Sequence, residues 1–352
     1  MKILIENHAF PFFLAHGGEQ IQILRTFDAL KANGVDVELT RWWDGSQVGD
    51  LIHCFGTPDL GYVRMAQKKG MAVLNTTLFT ATCNRSHKRL NWQGRIVKSL
   101  LSLPPIPPWS LIRNQLRWES FRECDSNIVG IDAEKDVLQT VYGVNGDNIQ
   151  IVPLGLADEF LNAGRSTRDG DYLITTGTIT ERKRSLELAE MARGTKTPIY
   201  FVGKPYDQTD PYWKQFERMI DGKYVRHLPH TENVDQLIRL LQRARGYVLY
   251  SDYENWCLAA HEAIACGLPI LVPDQRWSRE RFGGQASYFS ATRGAHDAGI
   301  LRSFYKNSSF DPAPDIPLLS WNQVGQRLTE IYGHVIRNRK SPGRNKFVDR
   351  CN

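Results

Sequence analysis

Short apolar runs alternate with helix-length segments along most of this chain, and that alternation leaves few folds open. Lys2–Glu6 reads as a buried strand. A Gly-containing loop follows it, and then Glu19–Ala32 carries Ile21, Leu24, Phe27, Ala29 and Leu30 at helical spacing. Asn33-Gly34 stops that helix. Val35–Leu39, Asp50–Phe55 and Met71–Thr76 are further strands bounded by Gly, Asp or Pro. After a basic stretch, strand Ser126–Ile131, helix Ala133–Tyr142 and strand Ile149–Val152 complete the first set. Strands joined by helix-length crossovers pair in parallel, so the fold class is α/β.

Pro153-Leu154-Gly155 turns the chain away, and a second alternation begins. It runs through Tyr172–Thr176, Ser185–Ala192, Ile199–Val202, Val234–Gln242, Gly246–Tyr250, Leu258–Ala265 and Pro269–Val272, and ends near Phe289. The expected organisation is an amino-terminal Rossmann-like domain over 1–153, a second over 154–320 and a basic tail over 338–352. The 352 residues suit two domains of about 100–200 residues each. Helix Trp321–Arg337 carries Val324, Leu328, Ile331, Tyr332 and Val335 on one face and is expected to pack back on the first domain. Two doubly wound sheets facing a cleft bind ligands at the carboxyl ends of their strands.

With 41% hydrophobic and 23% charged residues, the chain is neither disordered nor fibrous. Its six cysteines form no CxxC pair, which argues against a disulfide scaffold or a zinc ribbon and for reduced thiols. The amino-terminal apolar run breaks too early for a signal peptide, and no apolar stretch approaches about 18 residues. A cytoplasmic location is the expectation.

The formal net charge of +6 is unevenly placed. Segment 85–122 carries eight basic residues against Glu119, and segment 337–352 carries six against Asp349, so the remainder is acidic. The first segment mixes its cations with Trp92, Ile96, Val97, Leu100 and Trp109, which suits an anionic membrane surface better than nucleic acid. The plainer alternative is a loop plus a helix burying Trp109, Ile112, Leu116 and Phe121 in its own domain. Pro104, Pro105, Pro107 and Pro108 exclude one continuous spanning helix there.

The stretch from Tyr250 to Val272 is the most informative, reading strand, loop, helix, turn and strand. Glu254 falls in the loop, and Glu262 lies in a helix that starts near Leu258 and ends before Gly267. A carboxylate accepts two hydrogen bonds side by side and so grips vicinal hydroxyls, while free N–H groups around Leu258 and Ala259 favour a diphosphate. Spacing alone favours a solvated loop acid and a helix-surface acid.

The Glu-x7-Glu pair followed by Ala-x-Ala-Cys-Gly-x-Pro-Ile resembles the donor-site signature of the retaining glycosyltransferases of family four, the group 1 transferases with the GT-B fold. His16-Gly17-Gly18-Glu19, Val152-Pro153-Leu154-Gly155-Leu156, Gly177 with Lys183, Pro273-Asp274 with Glu280, and Ser320-Trp321 with Tyr332 continue the likeness in order over nearly the whole chain. The resemblance implies a nucleoside-diphosphate-sugar donor, held by the carboxyl-terminal domain, and a glycan or lipid-linked acceptor held by the amino-terminal one. It assigns donor-sugar hydroxyls to Glu254, the ribose to Glu262, and approach to the diphosphate to Gly17 and Gly18. Lys183 with Arg182 or Arg184 would neutralise the departing nucleoside diphosphate. Neither a cofactor nor a divalent metal is implied. Asp169-Gly170-Asp171 imitates a metal-binding Asp-x-Asp but precedes a strand in a polar turn, and the Gly17-Gly18 loop is not the GxGxxG of a nicotinamide enzyme.

Three positions depart from the family pattern. Thr178 stands where arginine usually follows Gly177, no histidine occurs near Thr77 or Leu78, and Cys257 replaces a glycine. The missing arginine and histidine motivate the alternative of a sugar-nucleotide-binding protein without turnover; a sugar-nucleotide hydrolase or epimerase on the same fold is a further alternative, which the Glu-x7-Glu pair disfavours.

Overall fold

The computed structural model describes residues 1–8, 17–77, 79, 81–104, 118–164, 166–231 and 233–340. The chain forms two compact units, one from Met1–Leu14, Glu19–Leu154 and Trp321–Asn352, the other from Ala15–Gly18 and Gly155–Ser320.

The first unit holds a parallel six-stranded sheet built from β1 (Lys2–Asn7), β2 (Asp36–Leu39), β3 (Leu51–Phe55), β4 (Ala72–Thr76), β5 (Ser126–Val129) and β6 (Ile149–Ile151), in the order β2-β1-β3-β4-β5-β6. Every residue of β3, β4 and β5 is buried, as expected for apolar runs covered on both faces. Strand order reverses between β1 and β3, which opens a crevice at their carboxyl ends. Helix His87–Leu101 buries Leu90, Gly94 and Val97. A Cβ on Gly94 would lie 2.3 Å from the Thr140 carbonyl oxygen, so only glycine permits this approach to helix Asp132–Thr140. Of the aromatic and apolar positions expected to pack behind segment 85–122, Phe121 is buried; Trp109, Ile112 and Leu116 lie outside the described residues.

The helix that begins at Trp321 runs to Lys340, three residues beyond its expected end, so the start of the basic tail is helical. It belongs to the first unit. Tyr332 is fully buried, with its hydroxyl 2.6 Å from His53 Nδ1, and Arg339 bonds to Asp125 at 2.8 Å and to the Gln67 carbonyl at 2.8 Å. His53 also meets Thr76 Oγ1 at 2.7 Å, and burial drops its pKa to about 3, so it is a neutral tie between sheet and helix.

The second unit repeats the architecture with β7 (Leu173–Thr176), β8 (Ile199–Val202), β9 (Val225–Leu228), β10 (Gly246–Val248), β11 (Ile270–Val272) and β12 (Ser287–Tyr288), in the order β12-β11-β10-β7-β8-β9. All pairs are parallel. Its core gathers Leu173, Phe201, Phe216, Val248, Leu271 and Phe304 among others. Strand β9 and helices Pro211–Met219 and His296–Asn307 add to the expected elements. Here the strand order reverses between β7 and β10, and the loops leaving those two strands carry the residues of interest.

Candidate active site

The loop after β7 turns at Gly177, whose φ of +137° suits only glycine, and passes close to the backbone of Gly203. A short helical turn, Glu181–Lys183, follows, and the Thr180 side chain accepts from the Lys183 amide at 3.3 Å. This turn aims two cations at the loop after β10. Lys183 Nζ lies 2.6 Å from Glu254 Oε1, and Arg182 donates to the same oxygen at 2.9 Å and to the Tyr253 carbonyl at 3.0 Å. The Asp252 amide closes the arrangement with a 2.7 Å bond to the Arg182 carbonyl.

Glu254 is buried. Burial alone would raise its pKa, but the positive charges of Lys183 and Arg182 outweigh it and hold the carboxyl below its ordinary value, so Glu254 is an ionised buried acid. Arg184, the alternative cation, turns elsewhere: it approaches Asp252 at 3.4 Å and Glu187 at 3.6 Å and lies over the Tyr250 ring. Arg293 stacks on that ring too and also bonds Asp252.

Helix Leu258–Ala265 starts from Cys257, which sits in the left-handed region at φ +57° where the family pattern has glycine. Burial pushes its thiol up to about 12, so it is not a nucleophile at neutral pH. The amides of Leu258 and Ala259 open the first turn and have no intrahelical acceptor, and both residues are partly exposed. The Glu262 carboxyl, one turn on, makes no hydrogen bond or ion pair with any described residue. It is partly exposed at the surface, yet the loss of water around its carboxyl raises its pKa to about 7.

A stack behind this helix holds it in place. The rings of Trp256 and His261 are parallel with centroids 4.7 Å apart, and the Arg281 guanidinium lies 4.0 Å over Trp256. Burial lowers the His261 pKa to about 3, so its imidazole is neutral; Nδ1 bonds the Cys257 carbonyl at 3.0 Å. Nothing in the sequence singled out this trio, although tryptophan, histidine and arginine near an irregular helix start were there to be read. Asp169 and Asp171, the metal-like pair, are ion-paired with Arg243 at 3.1 Å and Arg245 at 2.7 Å. Among the described residues no group of three or more His, Cys, Asp and Glu is placed to hold a metal ion.

Gly17 has φ +152°, and Gly18 opens helix Gly18–Ala32 after the β1 loop. The position near Thr77, without histidine, is occupied by hydroxyl bonding: Thr77 accepts from Asn75 at 2.8 Å and donates to the Gly56 carbonyl; Leu78 lies outside the described residues.

Two parallel six-stranded sheets with these strand orders make this a GT-B fold, the architecture of a large class of glycosyltransferases. Residues 171–276, which contain Lys183, Glu254 and Glu262, match the model of a family 4 glycosyltransferase in conflict systems. Among solved structures, it is similar to HepE of Anabaena in complex with UDP and glucose, at 11% identity over 94% of this chain and 99% of that one, with a TM-score of 0.61. The sucrose-phosphate synthase of Thermosynechococcus elongatus is 16% identical over 96% and 99% of the two chains, with a TM-score of 0.63. AviGT4, a glycosyltransferase involved in avilamycin A biosynthesis, is 15% identical over 96% and 98%, with a TM-score of 0.58. No curated protein matches the chain.

Proposed function

We propose that this protein transfers a hexosyl unit, with retention of configuration, from a nucleoside-diphosphate sugar to a hydroxyl of a glycan or lipid-linked acceptor. The observation that carries the reading is the convergence of Lys183 and Arg182 on ionised Glu254 where the second sheet reverses its order, with Glu262 unpartnered on the next helix. In this reading Glu254 accepts from donor-sugar hydroxyls and Glu262 from the ribose. The first-turn amides of Leu258 and Ala259 and the glycines Gly17 and Gly18 face phosphate oxygens. Lys183 and Arg182 balance the charge that develops on the leaving diphosphate, and that charge helps remove the acceptor proton. No enzyme nucleophile and no divalent cation enters the scheme. The amino-terminal domain receives the acceptor.

UDP-glucose is the first donor to try, because HepE has been solved in complex with it. Calorimetry with UDP-glucose should give weaker binding to Glu262→Ala than to the wild type by about tenfold or more. An unchanged affinity would remove the ribose assignment.

One observation favours a second reading, a donor-binding protein without turnover. Thr178 supplies no charge, and the two cations nearest the phosphate position are already paired with Glu254. UDP release from UDP-glucose that depends on an added acceptor separates transfer from hydrolysis, and binding without release identifies the inactive form.

The acceptor side has its own candidate surface. Helix His87–Leu101 has no acidic residue, and its solvent face carries Lys88, Arg89, Trp92, Arg95, Ile96 and Lys98. In our reading this face seats the protein on anionic lipid, beside a lipid-linked acceptor. Sedimentation with phosphatidylglycerol vesicles at low salt should occur and be lost when Arg85, Lys88, Arg89, Arg95 and Lys98 are neutralised. No helix among the described residues is long and apolar enough to cross a membrane.

A further inference from the structure

Trp42 and Trp43 are 85% and 84% exposed, whereas most aromatic side chains among the described residues are buried. Two neighbouring indoles left in water are unusual, because each has a large apolar area to bury. They stand on a turn immediately after β2, at the carboxyl ends of the first sheet's strands and next to β1, where the strand order reverses towards β3.

The turn is tightly bonded. Arg41 donates to Glu38 at 2.8 Å and to Asp44 at 2.8 and 3.0 Å, while Gln47 bonds the Leu39 carbonyl and Glu38 at 3.0 Å each. The Arg41 amide returns a 2.8 Å bond to Gln47. Trp42 is anchored by its edge: Nε1 donates at 3.0 Å to Oε1 of Glu6, a buried carboxyl at the end of β1 whose Oε2 has no partner among the described residues. Anchoring through the ring nitrogen leaves most of the indole in water.

Charge around the pair is balanced, since Lys2 and Arg41 are matched by Glu38 and Asp44. An anionic lipid surface finds no net attraction here, unlike at helix His87–Leu101. A wholly apolar partner would strip water from these ion pairs and return no hydrogen bonds. A neutral pyranose answers both demands: its C–H face lies on an indole, and its hydroxyl rim meets carboxylates and amides.

We propose that the Trp42–Trp43 turn is a saccharide-binding platform and, resting on the transferase reading above, the subsite that holds a neutral sugar ring of the acceptor. An array of neutral, sialylated and sulfated oligosaccharides, probed with the full-length protein, should show neutral glycans retained in 0.5 M NaCl. Trp43→Ala should weaken that binding about tenfold or more, with Trp42→Phe in between because it keeps a ring face and loses the bond to Glu6. Trp43 makes no hydrogen bond or ring contact with a described residue, so its variant tests binding without disturbing the fold; circular dichroism checks this. Retention of anionic glycans alone, retention of none, or equal binding by wild type and both variants overturns the platform. Calorimetry with UDP-glucose is read separately. Donor binding without glycan binding retires the platform and leaves the transferase reading, whereas glycan binding without donor binding keeps the platform and retires the transferase reading.

Discussion

Glu254 and Glu262 are separated by seven residues and both lose water, yet their surroundings shift their pKa values in opposite directions. The loop that carries Glu254 meets the cationic turn after β7, and two positive charges keep the acid ionised. The helix that carries Glu262 offers its carboxyl no partner, and desolvation raises its pKa unopposed. One acid is therefore a fixed anion locked into the fold. The other has a carboxyl without a partner among the described residues, which in the proposed reading takes the donor's hydroxyls.

The largest expected effect comes from breaking the clamp. Lys183→Ala removes the shorter of the two ion pairs on Glu254 and one of the two cations proposed to balance the leaving group. Acceptor-dependent UDP release should then fall about 100- to 1,000-fold in kcat, with a smaller change in donor affinity. Retention of wild-type kcat would mean that Lys183 is a structural partner of Glu254 and nothing more.

Next in size is the pH dependence of donor binding. If Glu262 accepts two ribose hydroxyls as proposed, it must be ionised, so below about pH 7 binding must expel a proton. Affinity for UDP-glucose should rise by about tenfold from pH 6 to pH 8 and then level off. At pH 6 the calorimetric enthalpy should differ between buffers of different ionisation enthalpy. Glu262→Gln should abolish both effects, and persistence of either in that variant would place the titrating group elsewhere.

Stability sharpens the same contrast. The folded-state pKa of Glu262, about 7, exceeds its ordinary value of 4.5, so its favourable contribution is full below pH 4.5 and lost as pH rises to 7. Glu254 has the opposite sign, with a contribution present above its ordinary value and lost as pH falls through its lowered pKa. Urea titrations of Glu262→Gln should show a flatter stability profile between pH 4.5 and 7 than those of the wild type.

Much of the architecture was legible because apolar runs and helix stops are local signals: β3, β4, β7 and β8 fall on or within the runs read from the sequence, and β1 extends its run by one residue, Asn7. Strand β9 was not, since Val225–Leu228 includes Arg226 and His227 and pairs only with β8 at the sheet edge, where no continuous apolar run is needed. Helix Pro211–Met219 carried readable signs, with Asp210 capping at 2.9 Å and Pro211 in the first turn, but lies in a polar stretch. The two glutamates stood out by spacing and resemblance. Their opposite pKa shifts did not, because Lys183 and Glu254 are 71 positions apart and only the order of β7 and β10 brings them together.

The smallest effect tests why the Glu262 helix begins where it does. At Cys257 the backbone takes φ +57°, a conformation that strains any residue with a Cβ by about 1–2 kcal/mol. Cys257→Gly relieves that strain but removes a small buried side chain and adds chain entropy to the unfolded state. The terms nearly offset, so stability by urea denaturation should change by no more than about 1 kcal/mol in either direction. Cys257→Val should instead lose about 2 kcal/mol or more, because a β-branched side chain fits the left-handed region worst. If valine were tolerated as well as glycine, the helix start would not depend on this conformation, and the stack of Trp256, His261 and Arg281 would carry the positioning of Glu262 alone.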